Sequence, residues 1–330
     1  MCATSASERR DVARAIRRAA RIVLVTHIHA DGDGLGSMAA LARAGERAGK
    51  TVEVVSPTGV PRRYAFLYEG RTPPATADGF AALADAADLI LVIDTCATAQ
   101  LEPIAGALAE RREKVAVIDH HRTRDDLSAT VWSDPSAAAA GVMVAELLDE
   151  LDWSIDAPTA EAIATAVCTD TGWLRHSNTD ARALAVVGRM IDAGVRPDVL
   201  YVKLYHCDRP ERLALTATAL GSLTLHAGGR VSLMVLTRAD FARTGATDDE
   251  TEDIVNEGLR VATADVSILL VERGDGLIRA SLRGTEAADV AAIARPFGGG
   301  GHARAAGARL PGPIAIAAER LVAACTEALS

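Results

Sequence analysis

Three observations predict an α/β chain of two domains, the first a mostly parallel sheet flanked by helices, the second smaller and α+β. In the first half, short β-branched runs alternate with helical patterns of about 10–15 residues, the mark of βαβ units and parallel strands. In the second half, two β-rich runs flank Gly274-Asp275-Gly276, a hairpin signal. Hydrophobic content of 49% with only 3% aromatic, much of it alanine, suits helices packed on a sheet rather than an all-β protein. With 330 residues the chain exceeds one ordinary core, since domains run to about 100–200 residues.

In chain order, helical periodicity over Asp11–Ala20 precedes a buried strand at Arg21–Thr26. The segment from His27 to Ser37 then reads as a strand-to-helix turn, with the helix proper running from Met38 to about Gly49. Thr51–Val55 is a strand, and Ser56–Asp78, with four prolines, reads as mostly loop. A helix near Phe80–Ala86 leads to the strand Leu89–Ile93, which ends in Asp94, and Val115–Ile118 is a strand ending in Asp119-His120-His121. Helices follow at Ala137–Leu151, Pro158–Cys168 and Asp180–Ala193, the middle one delivering Thr169-Asp170-Thr171-Gly172. Beyond a helical linker at 194–222, the sequence predicts strands at Arg230–Leu236, Val266–Val271 and Leu277–Leu282, a helix at Asp249–Leu259 and a last strand near Ala308, an α+β set with antiparallel pairing. The expected domains are therefore 1–193 and 223–330.

A net charge of -9 argues against a general nucleic-acid coat, because such binding draws on Lys and Arg neutralising phosphates. The five cysteines are scattered without Cys-x-x-Cys, which indicates neither a zinc knuckle nor a redox motif and suits a reducing cytoplasm. No apolar run approaches the roughly 20 residues of a membrane span, so a cytoplasmic protein is expected.

Alone, Asp31-Gly32-Asp33-Gly34 reads as an exposed turn. An EF-hand loop starting at Asp31 would need an oxygen ligand at Leu35 and a glutamate at Ala42. A dinucleotide fingerprint from Gly32 would need glycine at Ser37. Both readings fail. Likewise Asp94 and Asp119, taken singly, read equally as helix N-caps. Taken jointly, His27, Asp31, Asp33, Asp94, His120 and Asp170 all fall at or just beyond element ends, where a parallel sheet gathers them at one edge. Carboxylates so gathered repel unless cations neutralise them. Carboxylate and imidazole without thiolate suit Mn2+ or a similar divalent ion, and two such ions form the recurrent clamp for phosphoryl chemistry.

Asp119-His120-His121 after a buried strand, with His27-x3-Asp31-x-Asp33 and Gly36-Ser37, resembles the DHH phosphoesterase superfamily. That resemblance implies one metal on His27, Asp31 and Asp94 and a second on Asp33, Asp94, His120 and Asp170, with Asp94 bridging. It places His121 beside the bridging water or the substrate phosphate, with Asp119 supporting it. The family usually has proline where this chain has Ala30, a change that removes no ligand. His176 is a candidate for lining the pocket.

Gly298-Gly299-Gly300-Gly301-His302, preceded by Arg295-Pro296-Phe297, resembles the DHHA1 signature. By itself this is a flexible loop; within the resemblance, Gly299, Gly300, Gly301 and His302 bind substrate. Arg283 and Arg295 are further substrate-binding candidates, each equally readable as an exposed arginine. Together the motifs resemble short DHH–DHHA1 proteins of the nanoRNase, oligoribonuclease and pAp phosphatase type, which include cyclic-dinucleotide phosphodiesterases. The resemblance implies two divalent ions, preferentially Mn2+, and a homodimer. Its substrates are short oligoribonucleotides, pAp, and linear or cyclic dinucleotides such as pApA and c-di-AMP. An inorganic pyrophosphatase or polyphosphatase, or a nucleotide-binding sensor with a dead site, is the alternative.

Overall fold

The computed structural model describes residues 3–122 and 124–330. The chain divides into two compact units, one reaching to Cys207 and the other starting at Asp208. The first unit begins with α1 (Ala3–Arg18), β1 (Arg21–Val25), α2 (Gly32–Arg47), β2 (Thr51–Val55), α3 (Ala77–Ala86) and β3 (Leu89–Ile93). It continues through α4 (Ala105–Ala109), β4 (Val115–Asp119), β5 (Thr130–Ser133), α5 (Ala140–Leu151), α6 (Ala157–Asp170), α7 (Ala181–Asp192) and α8 (Pro197–Tyr205). The strand order is β2-β1-β3-β4-β5, and every pair is parallel. β3 and β4 are buried along their whole length, as apolar runs covered on both faces must be. Leu24, Leu91, Ile93 and Ile118 face α2 and α5, whereas Val23, Val25, Val92 and Val117 face Phe80, Leu101 and Leu108 on the other side.

The first helix of the motif begins at Gly32, earlier than expected, with Asp31 as its N-cap, so Asp33 and Ser37 belong to the helix rather than to a turn. Three glycines lower the helix propensity there, but tertiary packing outweighs them. A β-carbon on Gly36 would stand 2.5 Å from Ala162 O and 2.9 Å from Ala166 N, and one on Gly34 would overlap the Thr26 side chain. Thus α2 lies against α6 and β1 at a distance only glycine permits. Two other differences are local: Arg62–Tyr68 forms a 3-10 helix inside the expected loop, and β5 is a short edge strand without a strong sequence signal.

The second unit contains α9 (Pro210–Gly221), β6 (Thr224–His226), β7 (Val231–Leu236), α10 (Arg238–Thr244), α11 (Ile254–Glu257), β8 (Val266–Glu272) and β9 (Leu277–Gly284). It ends with α12 (Val290–Ala294), β10 (Gly300–His302), β11 (Ala305–Pro311) and α13 (Ile314–Ala328). Its sheet runs β10-β11-β9-β8-β7-β6. The expected antiparallel pairing holds for the hairpin of β8 and β9, while β7 and β8 are parallel; the helical connection between them is long enough for a crossover. The helix expected over 249–259 is broken, with Asp253 in the left-handed region at φ 65°. Residues 194–222 are shared out, α8 lying within the first unit and α9 within the second. Among the described residues, no helix is long and apolar enough to cross a membrane.

Candidate metal centre

Each strand of the central trio delivers polar groups at its carboxyl end. Thr26 Oγ1 donates to Ile93 O at 2.8 Å, tying β1 to β3 just before His27 and Asp94. His27 Nδ1 lies 2.8 Å from Ile28 O and His120 Nδ1 lies 3.2 Å from Ala137 O. A carbonyl only accepts, so both Nδ1 atoms carry hydrogen and each neutral ring presents its Nε2 lone pair. Those Nε2 atoms face carboxylates: His27 is 3.6 Å from Asp94 and 3.8 Å from Asp31, while His120 is 3.3 Å from Asp94, 3.6 Å from Asp33 and 3.9 Å from Asp170.

The carboxylates are held as firmly as the rings. Asp31 Oδ1 accepts from the N–H groups of Asp33 and Gly34 at 2.9 and 3.2 Å. Asp33 accepts from Ala140 N at 2.6 Å and Gly141 N at 2.8 Å, satisfying the first amides of α5. Asp94 follows β3 with φ 64°, a strained setting for a non-glycine residue. Its N–H is held by Ile118 O at 2.9 Å. Asp170 ends α6, where the helix dipole is negative and disfavours a second negative charge. It is fixed by Asn178 Nδ2, 3.1 Å from its Oδ2. Asn178 escaped the sequence reading, because its partners Asp170 and Ala138 lie 8 and 40 residues away.

Charge balance within the cluster is tense. Burial pushes Asp33 well above the usual carboxylate range, with Asp94 and Asp170 adding to the shift. Burial also lifts Asp170 to about 7, Asp94 and Asp31 reinforcing it and His120 opposing. Burial works against a charged His120, yet Asp94, Asp33 and Asp170 together raise it to about 11. His27 rises in the same way through Asp31 and Asp94, against its burial. Asp94 is drawn below the ordinary range by His120 and His27 in spite of burial. Without cations, then, protons must neutralise the site.

One atom tests whether a cation fits better. Asp94 Oδ1 is buried and has no hydrogen-bond donor, although His120 Nε2 is 3.3 Å and His121 Nδ1 is 3.8 Å away. His121 Nδ1 is committed to Asp119 Oδ1 at 2.7 Å, and His120 Nδ1 to a carbonyl. A buried acceptor facing the His120 Nε2 lone pair is costly unless a positive ion lies between them. His27, Asp31 and Asp94 form one set of atoms within 4.8 Å of one another; Asp33, His120 and Asp170 form a second; Asp94, His120 and His121 form a third. Oxygen and imidazole donors without thiolate fit a divalent ion.

All six residues read from sequence as ligands thus meet at one edge of the sheet, with His121 and Asp119 beside them. His176 is exposed, with Nδ1 3.2 Å from Asp170 O. The second-unit residues differ. Gly300–His302 is not a flexible loop but an edge strand, Gly301 opposite Ala306 and His302 opposite Ala305. Arg295, Gly300, Gly301 and His302 are exposed and Gly299 is half-buried. Arg283 is half-buried on β9, donates to Leu282 O at 3.1 Å, and is lowered by burial.

An all-parallel sheet with oxygen and imidazole donors that could hold a cation gathered at its carboxyl edge, followed by a mixed-sheet unit, defines an α/β protein with a candidate metal centre. The family model for the DHH N-terminal domain matches residues 21–169, and that for the DHHA1 domain matches 231–330. The chain belongs to the DHH family. It is 30% identical over 312 residues to the bifunctional oligoribonuclease and PAP phosphatase NrnA of Thermus thermophilus, covering 94% of this chain and 90% of that protein. The Bacillus subtilis protein of the same name is 26% identical over 222 residues, covering 66% and 70%. These relatives are by name hydrolases of phosphoester bonds. Among solved structures, an exopolyphosphatase-related protein from Bacteroides fragilis has a TM-score of 0.91 at 24% identity, covering 98% of this chain and 96% of that one. RecJ from Thermus thermophilus, in complex with Mn2+, has a TM-score of 0.51 at 16% identity, covering 98% and 55%. These two likenesses establish the fold.

Proposed function

We propose that the chain is a metal-dependent phosphohydrolase of short nucleotides: oligoribonucleotides of a few residues, pAp, and linear or cyclic dinucleotides such as pApA and c-di-AMP, cleaved to mononucleotides. The observation that carries it is the buried, donor-less Oδ1 of Asp94 between two imidazoles, in a chain with 30% identity to an oligoribonuclease and PAP phosphatase. In this reading His27, Asp31 and Asp94 hold one ion and Asp33, Asp94, His120 and Asp170 a second, with Mn2+ the preferred metal.

When bound, such ions supply a nucleophile from water near neutral pH and neutralise the charge that grows on the phosphoryl oxygens. The chain's own groups do the positioning. Asp119 Oδ1 takes both the backbone N–H of His121 at 3.1 Å and its Nδ1–H at 2.7 Å. That pair of hydrogen bonds to one oxygen fixes the His121 ring for the substrate phosphate. Arg283, Arg295, His302 and the backbone of Gly299–Gly301 are the substrate-binding groups of this reading. The same reading takes the protein as a cytoplasmic homodimer, which sedimentation velocity measures directly.

The test is incubation with pApA, pAp, c-di-AMP and pyrophosphate, each with and without Mn2+. AMP or phosphate released from a nucleotide only when metal is present supports the proposal. Hydrolysis confined to pyrophosphate, or none, refutes it.

A further inference from the structure

Residues 137–141, four alanines and a glycine, carry no reactive group, yet their backbone meets two members of the cluster directly and a third through Asn178. Ala137 O meets His120 Nδ1 at 3.2 Å. Ala138 O accepts from Asn178 Nδ2 at 2.9 Å, and the same amide donates to Asp170 at Oδ2 and at its carbonyl, 3.1 and 3.2 Å. Ala140 N and Gly141 N hold the two oxygens of Asp33. His27 and Asp31 are supported elsewhere, by Ile28 O and by the first amides of α2.

The segment is itself clamped. A β-carbon on Gly141 would come within 2.5 Å of Ala166 Cβ on α6, the helix that ends in Asp170. Upstream, buried Asp134 accepts from Ser136 N at 3.1 Å and from Arg182 Nη1 at 2.7 Å, and Arg182 also grips Glu146 through two bonds of 2.6 and 2.9 Å. A flat run of small residues seated this closely has little freedom to shift.

We propose that residues 137–141 are a backbone frame setting the geometry of one ion site only, that of Asp33, His120 and Asp170, with Asn178 as its positioning residue. This rests on the reading of those three side chains as ion ligands. Such outer partners ordinarily govern metal affinity by about 10–100-fold. The site of His27 and Asp31 takes its own hydrogen bonds from outside the frame and shares with the other only Asp94.

The test titrates Mn2+ alone into the metal-free full chain by calorimetry. The wild type shows two binding steps. Asn178→Ala, at an exposed side chain, weakens one step by about tenfold or more and leaves the other within about twofold, with the metal-free melting temperature unchanged. Ala140→Pro is the second variant. Proline is favoured at the first helical position, and Ala139 is already extended (φ -162°, ψ 155°) as the residue before proline must be. It replaces the N–H facing Asp33 by a methylene and weakens the same step. Equal weakening of both steps, or no change in either, overturns the frame while leaving the metal centre standing. A wild type that binds no Mn2+ overturns both.

Discussion

The two glycine-rich motifs look alike in sequence and behave differently in the molecule. Gly32, Gly34 and Gly36 lie inside α2, where a side chain would run into Thr169, Thr26 and the α6 backbone. The polar residues between and around them are interlocked and largely buried. In the second motif, Gly299 and Gly301 are likewise demanded by contact, lying within 3.0 and 2.8 Å of β11 Cα positions once a β-carbon is added, but Gly300 meets nothing within 4 Å. The side chains around it, Arg295 and His302, are exposed. The first motif is packed and hydrogen-bonded in advance, whereas the second presents an open strand edge, the one proposed above to receive substrate.

Asp33→Ala puts the sharpest strain on that contrast. It removes a proposed ligand and the acceptor for two α5 amides. Turnover is expected to fall by about a hundred- to a thousandfold, the worth of several kcal/mol of charge stabilisation. A kcat within tenfold of wild type would show that the cluster is not the reacting centre.

Gly36→Ala comes next. Overpacking against backbone costs about 1–3 kcal/mol and lowers the calorimetric melting temperature of the first unit by roughly 2–10 °C. Gly300→Ala, with open space around it, should shift stability by less than about 0.5 kcal/mol. If both variants melt alike, the distinction between a packed and an open motif is wrong.

Stability against pH reads the cluster's charges. Asp170, lifted to about 7, and Asp33, lifted in the same direction, keep protons in the folded state that the unfolded chain releases above about 4. His120, raised to about 11, keeps a proton that the unfolded chain loses above about 6.5. In both cases the folded state binds more protons, so metal-free stability falls as pH rises from about 4 toward 9. Thermal melts at pH 5, 7 and 9 with chelator should decline in that order, and saturating Mn2+ should flatten the trend. A metal-free protein most stable at pH 9 would contradict the charge balance.

The smallest effect on catalysis belongs to the second motif. His302→Ala should raise KM about fivefold to tenfold, the loss of one charged hydrogen bond of about 1–1.5 kcal/mol, with kcat nearly constant. An unchanged KM for every nucleotide substrate would remove the anchoring role.

Much of the first unit was legible because its strands are continuous apolar runs that stop at an acid or a histidine, as at Ile93–Asp94 and Ile118–Asp119. The start of α2 was not, since Gly32, Gly34 and Gly36 are weak helix formers whose placement is decided by α6, more than a hundred residues on. β5 escaped notice because four residues give too short a period to read. The parallel pairing of β7 with β8 is a long-range choice, whereas the hairpin signal at Gly274-Asp275-Gly276 is local and was right for β8 and β9. Asn178 and the 137–141 backbone act through partners, and a partner is not written beside the residue it serves.

The central sheet order, in which β1 is flanked by β2 and β3 and β4 follows outward, has a bearing on biosynthesis. The clustered side chains begin at His27 and end at Asp170, on an element synthesised only after β5 and α5. A nascent chain that has emerged as far as β4 carries His27, Asp31, Asp33 and Asp94 but has neither α5 amides to quiet Asp33 nor Asp170 to complete its set. Domains fold as units during synthesis, and here the last of the clustered side chains emerges only with the end of α6. An unfinished chain on the ribosome therefore lacks the complete centre.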